Sequence, residues 1–257
     1  MMLSARDISI GYPRRKLAAH ISLALNAGEA VAILGPNGSG KTTLFRTLLG
    51  LLPALAGEVL LNDTPMTLLK PADIARHIAY VPQAASGFFN FSVIEVVEMA
   101  RAAHLAWYAQ PGIKDRAIAQ QALAELNIAH FANREFAELS GGERQLVMIA
   151  RALASEARTL LLDEPTASLD YGNQFLILDE IAKLKARGVA ILFTTHDPNQ
   201  ALRIAERTLT ISRNGAINIG ATPTVVTRDS LAALYGIDVQ LVPGPDGQLI
   251  TIAAGAR

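Results

Sequence analysis

Gly35-Pro36-Asn37-Gly38-Ser39-Gly40-Lys41-Thr42 is the stretch on which the fold turns. The apolar run Ala30 to Leu34 precedes it and reads as a buried strand. After it, Thr43 leads into Leu44, Phe45, Leu48 and Leu49, which have the spacing of an amphipathic helix. A glycine-rich turn between a strand and a helix is a phosphate cradle: backbone N–H groups converge on phosphate oxygens, and the helix N-terminus adds roughly half a positive charge. Lys41 is placed to reach the β- and γ-phosphates and Thr42 to offer its hydroxyl to Mg²⁺. An ordinary glycine-rich turn needs neither the full spacing nor both flanking elements.

Outward from the cradle, Ile78 to Val81, Thr159 to Leu162, Val189 to Thr194 and Thr208 to Ser212 also read as short buried strands alternating with helical patterns, which predicts an α/β layered core. Between Ala84 and Ala154 the pattern changes. Ser92 to Ala103, Lys114 to Leu126 and Gly141 to Ser155 read as helices with no strand among them, so a helical subdomain is expected there. Ser92 with Glu95, and Ser140 with Glu143, have the Ser-x-x-Glu spacing of a capping box, and Asp197-Pro198 marks a third helix start. Asn214-Gly215 reads as a hairpin turn, and Asp246-Gly247 reads the same way. The expected organisation is one domain over 1–257: a nucleotide core from 1–83 and 156–229, the helical subdomain at 84–155, and a C-terminal extension over 230–257.

Composition narrows the partners. Lys plus Arg and Asp plus Glu both number 23, so there is no global basic field to hold nucleic acid or an anionic membrane. The chain has no cysteine, which excludes disulfides, thiol catalysis and cysteine-bound metals. No segment approaches the roughly 18 uninterrupted apolar residues of a membrane span, so work at a membrane would require a second chain. His20, His77, His104 and His130 have no metal-ligand spacing.

Thr159-Leu160-Leu161-Leu162-Asp163-Glu164 is a buried strand ending in two acids, a placement that suits Asp163 to hold Mg²⁺ through water and Glu164 to polarise an attacking water. Alone this pair is weak. Together with the cradle and Leu139-Ser140-Gly141-Gly142-Glu143, the chain resembles the ATP-binding-cassette (ABC) family from about Leu3 to Ile252. The resemblance implies ATP and Mg²⁺, and a P-loop NTPase (RecA-like) core with an N-terminal antiparallel β region and an inserted α-helical subdomain.

Carried over residue by residue, the resemblance makes Tyr12 the aromatic that stacks on adenine and Gln83 the sensor and metal-side residue after Tyr80-Val81-Pro82. It makes Ser168-Leu169-Asp170 the loop between two active sites and His196 the γ-phosphate switch. From the residues alone, a surface aromatic is the other reading of Tyr12, a loop amide that of Gln83 and a hydrogen-bonded structural histidine that of His196. The resemblance also implies that Ser140, Gly141 and Gly142 contact the nucleotide of a second subunit, in a head-to-tail homodimer. Their placement at a capped helix start suits donors aimed at phosphate, and it equally suits a plain cap.

Family members receive a coupling helix from membrane permease subunits near the aromatic loop Phe88, Phe89 and Phe91. Those phenylalanines suit either a docking cleft or the core of the helical subdomain. Phe89 to Arg101, Thr194 to Ala201 and the tail from Thr227 to Ile252 look like the importer branch for iron-siderophores, haem and cobalamin, with a molybdate-type relative also close. That branch implies a peripheral subunit on the cytoplasmic face of the inner membrane, served indirectly by a solute-binding protein. Ala100 stands where many relatives have glycine, Glu143 replaces the commoner glutamine, and Ala106 to Gly112 is idiosyncratic. A soluble ABC ATPase acting on ribosomes or DNA, a non-hydrolysing regulator and an exporter subunit are the competing expectations; intact Glu164 and His196 weigh against the regulator.

Overall fold

Two long strands open the chain: β1 (Leu3–Tyr12), largely buried, and β2 (Arg15–Leu25), alternating in burial toward its end, pair antiparallel, Leu3 opposite Leu25 and Tyr12 opposite Arg15. Next come β3 (Ala30–Leu34), α1 (Lys41–Leu48), β4 (Ala56–Leu61), the two-residue β5 (Thr64–Pro65), α2 (Pro71–His77) and β6 (Ile78–Val81). Three helices, α3 (Val93–Glu98), α4 (Ile113–Glu125) and α5 (Gly141–Ala154), lie between β6 and β7 (Thr159–Leu162). The remainder is α6 (Tyr171–Ala186), β8 (Ala190–Thr195), α7 (Pro198–Ile204), β9 (Arg207–Ile211), β10 (Ile217–Ala221), α8 (Thr222–Val225), α9 (Arg228–Tyr235), β11 (Val239–Pro243) and β12 (Leu249–Ala253). The structure, a computed structural model, describes residues 1–83, 90–106, 108–167, 169–244, 247 and 249–253. Phe88, Phe89, Trp107, Ser168, Pro245 and Asp246 lie outside these residues.

Two sheets carry the fold, with a small hairpin of β11 and β12 at the C-terminus. The larger sheet has the order β10-β9-β3-β8-β7-β6, parallel from β9 to β6, with β10 added antiparallel through the Asn214-Gly215 turn. The smaller is antiparallel, in the order β2-β1-β4-β5. Strand β3 shows why the inner strands are continuously apolar. Val31 and Ile33 pack with α1 and the antiparallel sheet, while Ala30, Ala32 and Leu34 join the core shared with the helices on the other face. A parallel strand covered on both faces leaves no solvated side on which polar residues could alternate. This is the expected α/β nucleotide-binding core with its N-terminal antiparallel region.

Helix starts follow the capping chemistry. The Ser92 N–H donates to Glu95 Oε2 at 2.7 Å, and the Ser140 N–H donates to Glu143 Oε2 at 2.7 Å. One helix is shorter than its pattern predicts. The helix expected over Ser92 to Ala103 ends at Glu98, and Met99–His104 winds into tighter 3₁₀ turns. That winding accompanies the burial of Arg101, which donates to Asp115 (3.0 Å), Glu156 (2.7 Å) and the Ala154 carbonyl (2.8 Å). An inward guanidinium tied to α4 and to the end of α5 outweighs the local helical period, because a buried charge must be paired.

β1 breaks register against β4 between Arg6 and Ser9, and Gly57 accommodates the break with φ 75°. A Cβ at Gly57 would meet the Asp7 carbonyl oxygen at 2.4 Å and the Arg6 carbonyl oxygen at 2.5 Å, both rigid backbone atoms. Gly57→Ala is therefore expected to cost at least about 2 kcal/mol in urea denaturation, and a loss below about 0.5 kcal/mol would show that the two sheet strands can slide to admit it.

Candidate nucleotide site

The C-terminal ends of four adjacent parallel strands meet at one edge of the larger sheet. β3 leads into the cradle, β8 ends at Thr195 before His196, β7 runs into Asp163 and Glu164, and β6 leads to Gln83. Their pairing is level: Leu34 lies opposite Thr195, Leu162 opposite Phe193, and Val81 opposite Leu162. Open parallel sheets bind ligands outside this edge. Here the edge borders a cleft of ≈ 470 Å³ lined by Tyr12, Arg15, Leu17, Asn37, Gly38, Gly40, Lys41, Thr42, Thr43, Gln83 and Glu164.

Lys41 opens α1, and its amino group donates to the Gly35 carbonyl at 2.8 Å and lies 3.2 Å from Glu164 Oε1. Both charges are buried, with 6% and 9% of their side chains exposed. The second carboxylate oxygen of Glu164 accepts from Gln83 Nε2 at 3.1 Å and lies 3.4 Å from His196 Nδ1. Glu164 also has φ 46°, a left-handed backbone unusual for a side chain of this size. Strain of this kind persists only where the surroundings over-determine it. The Glu164 N–H donates to Thr194 Oγ1 at 2.8 Å, and that hydroxyl donates to Asp163 Oδ1 at 2.6 Å, so one buried threonine holds both acids.

Asp163 Oδ2 accepts from Thr42 Oγ1 at 2.9 Å and from the Tyr80 phenol at 3.3 Å. Burial first, then the charge of Asp163 and its hydrogen bond, push the Tyr80 phenol up to about 12, so it remains a donor at neutral pH. Gly35, Pro36 and Ser39 form the underside of the cradle. A Cβ on Gly35 would lie 2.4 Å from the Ile211 carbonyl oxygen, and the Ser39 hydroxyl is buried without a partner among the described residues. Tyr12 is 43% exposed at the rim of the cleft.

Ser140, Gly141, Gly142 and Asp170 stand outside this cleft. Ser140 and Gly141 are exposed at the start of α5, and the Glu143 carboxyl is held below the usual range, first by the Ser140 N–H. Gly142 packs on Asn173, where a Cβ would come within 2.8 Å. Asp170 in turn accepts from the Asn173 N–H and side-chain amide, both at 2.8 Å. The signature turn and the loop ending at Asp170 therefore meet through one asparagine.

The sequence profile described as ABC transporter matches residues 18–167, more than half of the chain. The chain belongs to the ABC transporter family. A hemin import ATP-binding protein of Myxococcus xanthus is 38% identical over 259 residues, covering 97% of this chain and 96% of its own. The solved structure of a metal-chelate type ABC transporter in an inward-facing conformation superposes with a TM-score of 0.87 at 34% identity, covering 99% of this chain and 98% of its own. A dimeric ATP-binding cassette in a post-hydrolysis state, bound to ADP and Pi, superposes with a TM-score of 0.75 at 27% identity, covering 86% and 99%. ABC transporter ATP-binding proteins hydrolyse ATP to power transport, and this chain is an ATPase of that family.

Thr194 and Tyr80 are the supporting residues that motif reading of an ABC sequence passes over. Both stand next to last in their strands, Thr194 two residues before His196 and Tyr80 three before Gln83, but a threonine or tyrosine in a strand signals only strand propensity. Arg15 and Leu17, on β2, reach the cleft because the β1–β2 turn folds over it. Thr194→Val keeps the volume and removes both hydrogen bonds, leaving the Glu164 N–H and one Asp163 oxygen without their donor or acceptor. A loss of about 2 kcal/mol in urea denaturation is expected, and a loss below about 0.5 kcal/mol would show that neither acid depends on the hydroxyl.

Proposed function

We propose that this chain is the ATP-hydrolysing subunit of an importer for metal chelates, an iron-siderophore, haem or cobalamin class, acting as a homodimer on the cytoplasmic side of a membrane permease. The observation that carries hydrolysis is Glu164, whose carboxylate lies within 3.2 Å of Lys41, 3.1 Å of Gln83 and 3.4 Å of His196 at the mouth of the cradle. The transported class rests on what the hemin import and metal-chelate relatives are named for. The cargo never meets this subunit in such a mechanism, so its chemistry is not written in the cleft.

In this reading Tyr12 stacks on the adenine, the cradle N–H groups and Lys41 hold the phosphates, and Glu164 polarises the attacking water. Gln83 and His196 stand on the γ-phosphate side of that carboxylate. Thr42 and Asp163 suit Mg²⁺: both offer hard oxygen atoms, 2.9 Å apart, and Mg²⁺ takes few protein ligands beside phosphates and water. Magnesium supplies charge neutralisation on the phosphates. Among the described residues, no group of three or more His, Asp or Glu side chains is placed to hold a metal.

Ser140 and Gly141, exposed, and Gly142 behind them, all outside their own chain's cleft, are assigned to the nucleotide of a second copy, with the ADP-bound dimeric cassette as support. No helix among the described residues is long and apolar enough to cross a membrane, which suits attachment through permease subunits. Docking is assigned near Phe91, which is 41% exposed, with Phe88 and Phe89 outside the described residues.

Glu164→Gln tests the chemistry. ATP affinity should stay within about threefold while kcat falls by about 10²–10³, with a dimer accumulating in ATP; unchanged turnover would remove Glu164 as the base. Recovery of the wild-type chain from detergent-solubilised membranes tests transport. An integral permease should accompany it, and ATPase activity should rise with a binding protein loaded with ferric siderophore, haem or cobalamin rather than molybdate. Recovery with ribosomes or DNA and no integral membrane protein would overturn the reading.

A further inference from the structure

The C-terminal hairpin is bound to the segment that carries His196. Asn199, three residues beyond the histidine at the start of α7, accepts on Oδ1 from the Thr251 N–H at 2.7 Å and from the Thr251 hydroxyl at 3.0 Å. Its side-chain amide donates back to the Thr251 carbonyl at 3.3 Å. The contact continues into the loop: the Asn199 N–H donates to Asp197 Oδ1 at 2.9 Å, and the Asp197 N–H donates to Thr195 Oγ1 at 3.0 Å. His196 is the residue between those last two. Its ring is 59% exposed, and its Nδ1 lies 3.4 Å from Glu164 Oε2.

On its first strand the hairpin joins the main core through Val239, which is 5% exposed. A cleft of ≈ 260 Å³ separates it from α6 and α7, bordered by Phe175, Leu178 and Ile250, and Ile250 and Ile252 stay 39% and 44% exposed. Apolar burial therefore anchors β11, and on β12 the three Asn199–Thr251 hydrogen bonds tie the strand to the turn that carries His196. A second element of the extension approaches the same loop. The Tyr235 hydroxyl is buried without a partner among the described residues, and burial together with the Asp197 and Glu164 carboxylates raises its pKa, which places it within electrostatic reach of both. Arg228 ties α9 to the start of β11 by two bonds to Asp238, at 2.8 and 2.9 Å.

We propose that Asn199 and Thr251 are positioning residues for ATP hydrolysis: the C-terminal hairpin clasps the turn that carries His196 and sets the reach of its imidazole to Glu164. The proposal rests on the assignment of His196 to the γ-phosphate side of the site. A displaced catalytic group costs turnover rather than nucleotide affinity, and a residue acting only through His196 has no effect once the imidazole is gone.

Steady-state ATPase kinetics of the full chain test this with Asn199→Ala, His196→Ala and the double variant. Asn199→Ala should lower kcat about tenfold with the KM for ATP within about twofold, and in the His196→Ala background the same change should alter kcat by less than about twofold. An unchanged kcat in Asn199→Ala beside an impaired His196→Ala overturns the clasp. So does an equal fall in both backgrounds, because the effect then bypasses the histidine. Normal turnover in His196→Ala itself defeats the histidine assignment, a distinct result that takes the proposal with it. Thr251→Ala, which loses the hydroxyl contact alone, keeps the test open should Asn199→Ala fail to fold; it should lower kcat about threefold in the wild-type background, and an unchanged kcat overturns the clasp.

Discussion

Parallel register is the constraint from which the chemistry of this chain descends. Leu34, Thr195, Leu162 and Val81 end neighbouring strands, and each strand delivers a different group to the same edge. A shift of one residue in any of them would exchange the side chains packed into the two cores and carry its terminal group away from the cleft. The sheet is therefore kept in register by the two cores on its faces, and the site inherits its precision from packing. Asp163 shows how close the tolerance is, since its two oxygens accept from Thr194, Thr42 and Tyr80 at once.

Electrostatics raise the stakes of that placement. Lys41 and Glu164 are both almost wholly buried, and burying two ions costs more than their attraction returns unless further hydrogen bonds complete them. Here they are completed by the Gly35 carbonyl on one side and the Gln83 amide on the other. The left-handed backbone of Glu164 turns the carboxylate out of the strand line and toward the cradle.

Much of this was legible in the residues. The doubly covered strands announce themselves as short apolar runs, and the strands beginning near Val189 and Thr208 are displaced by only one residue, to Ala190–Thr195 and Arg207–Ile211. The cradle and the capping boxes are local patterns with local causes. What escaped is long-range. Arg101 tightens its own helix through partners at Asp115, Ala154 and Glu156, and Asn199 meets Thr251 from 52 residues away. Single side chains that pair across such distances leave no period to detect. Thr194 and Tyr80 were hidden differently, by being ordinary strand formers in ordinary strand positions.

The cleft holds the cradle and Glu164, with His196 beside that acid, while Ser140 at the exposed start of α5 is not part of its lining; the proposed second copy would bring the two together. Absence of cysteine from the chain permits a direct measurement. One population carries Asn37→Cys, at the exposed rim of the cradle, and another Ser140→Cys; they are mixed with ATP in the absence of magnesium and oxidised. A disulfide requires Cα atoms within about 7 Å, so an ATP-dependent covalent dimer between the two populations is the predicted result. Failure to cross-link in saturating ATP, with both chains folded, would contradict an active site shared between two copies.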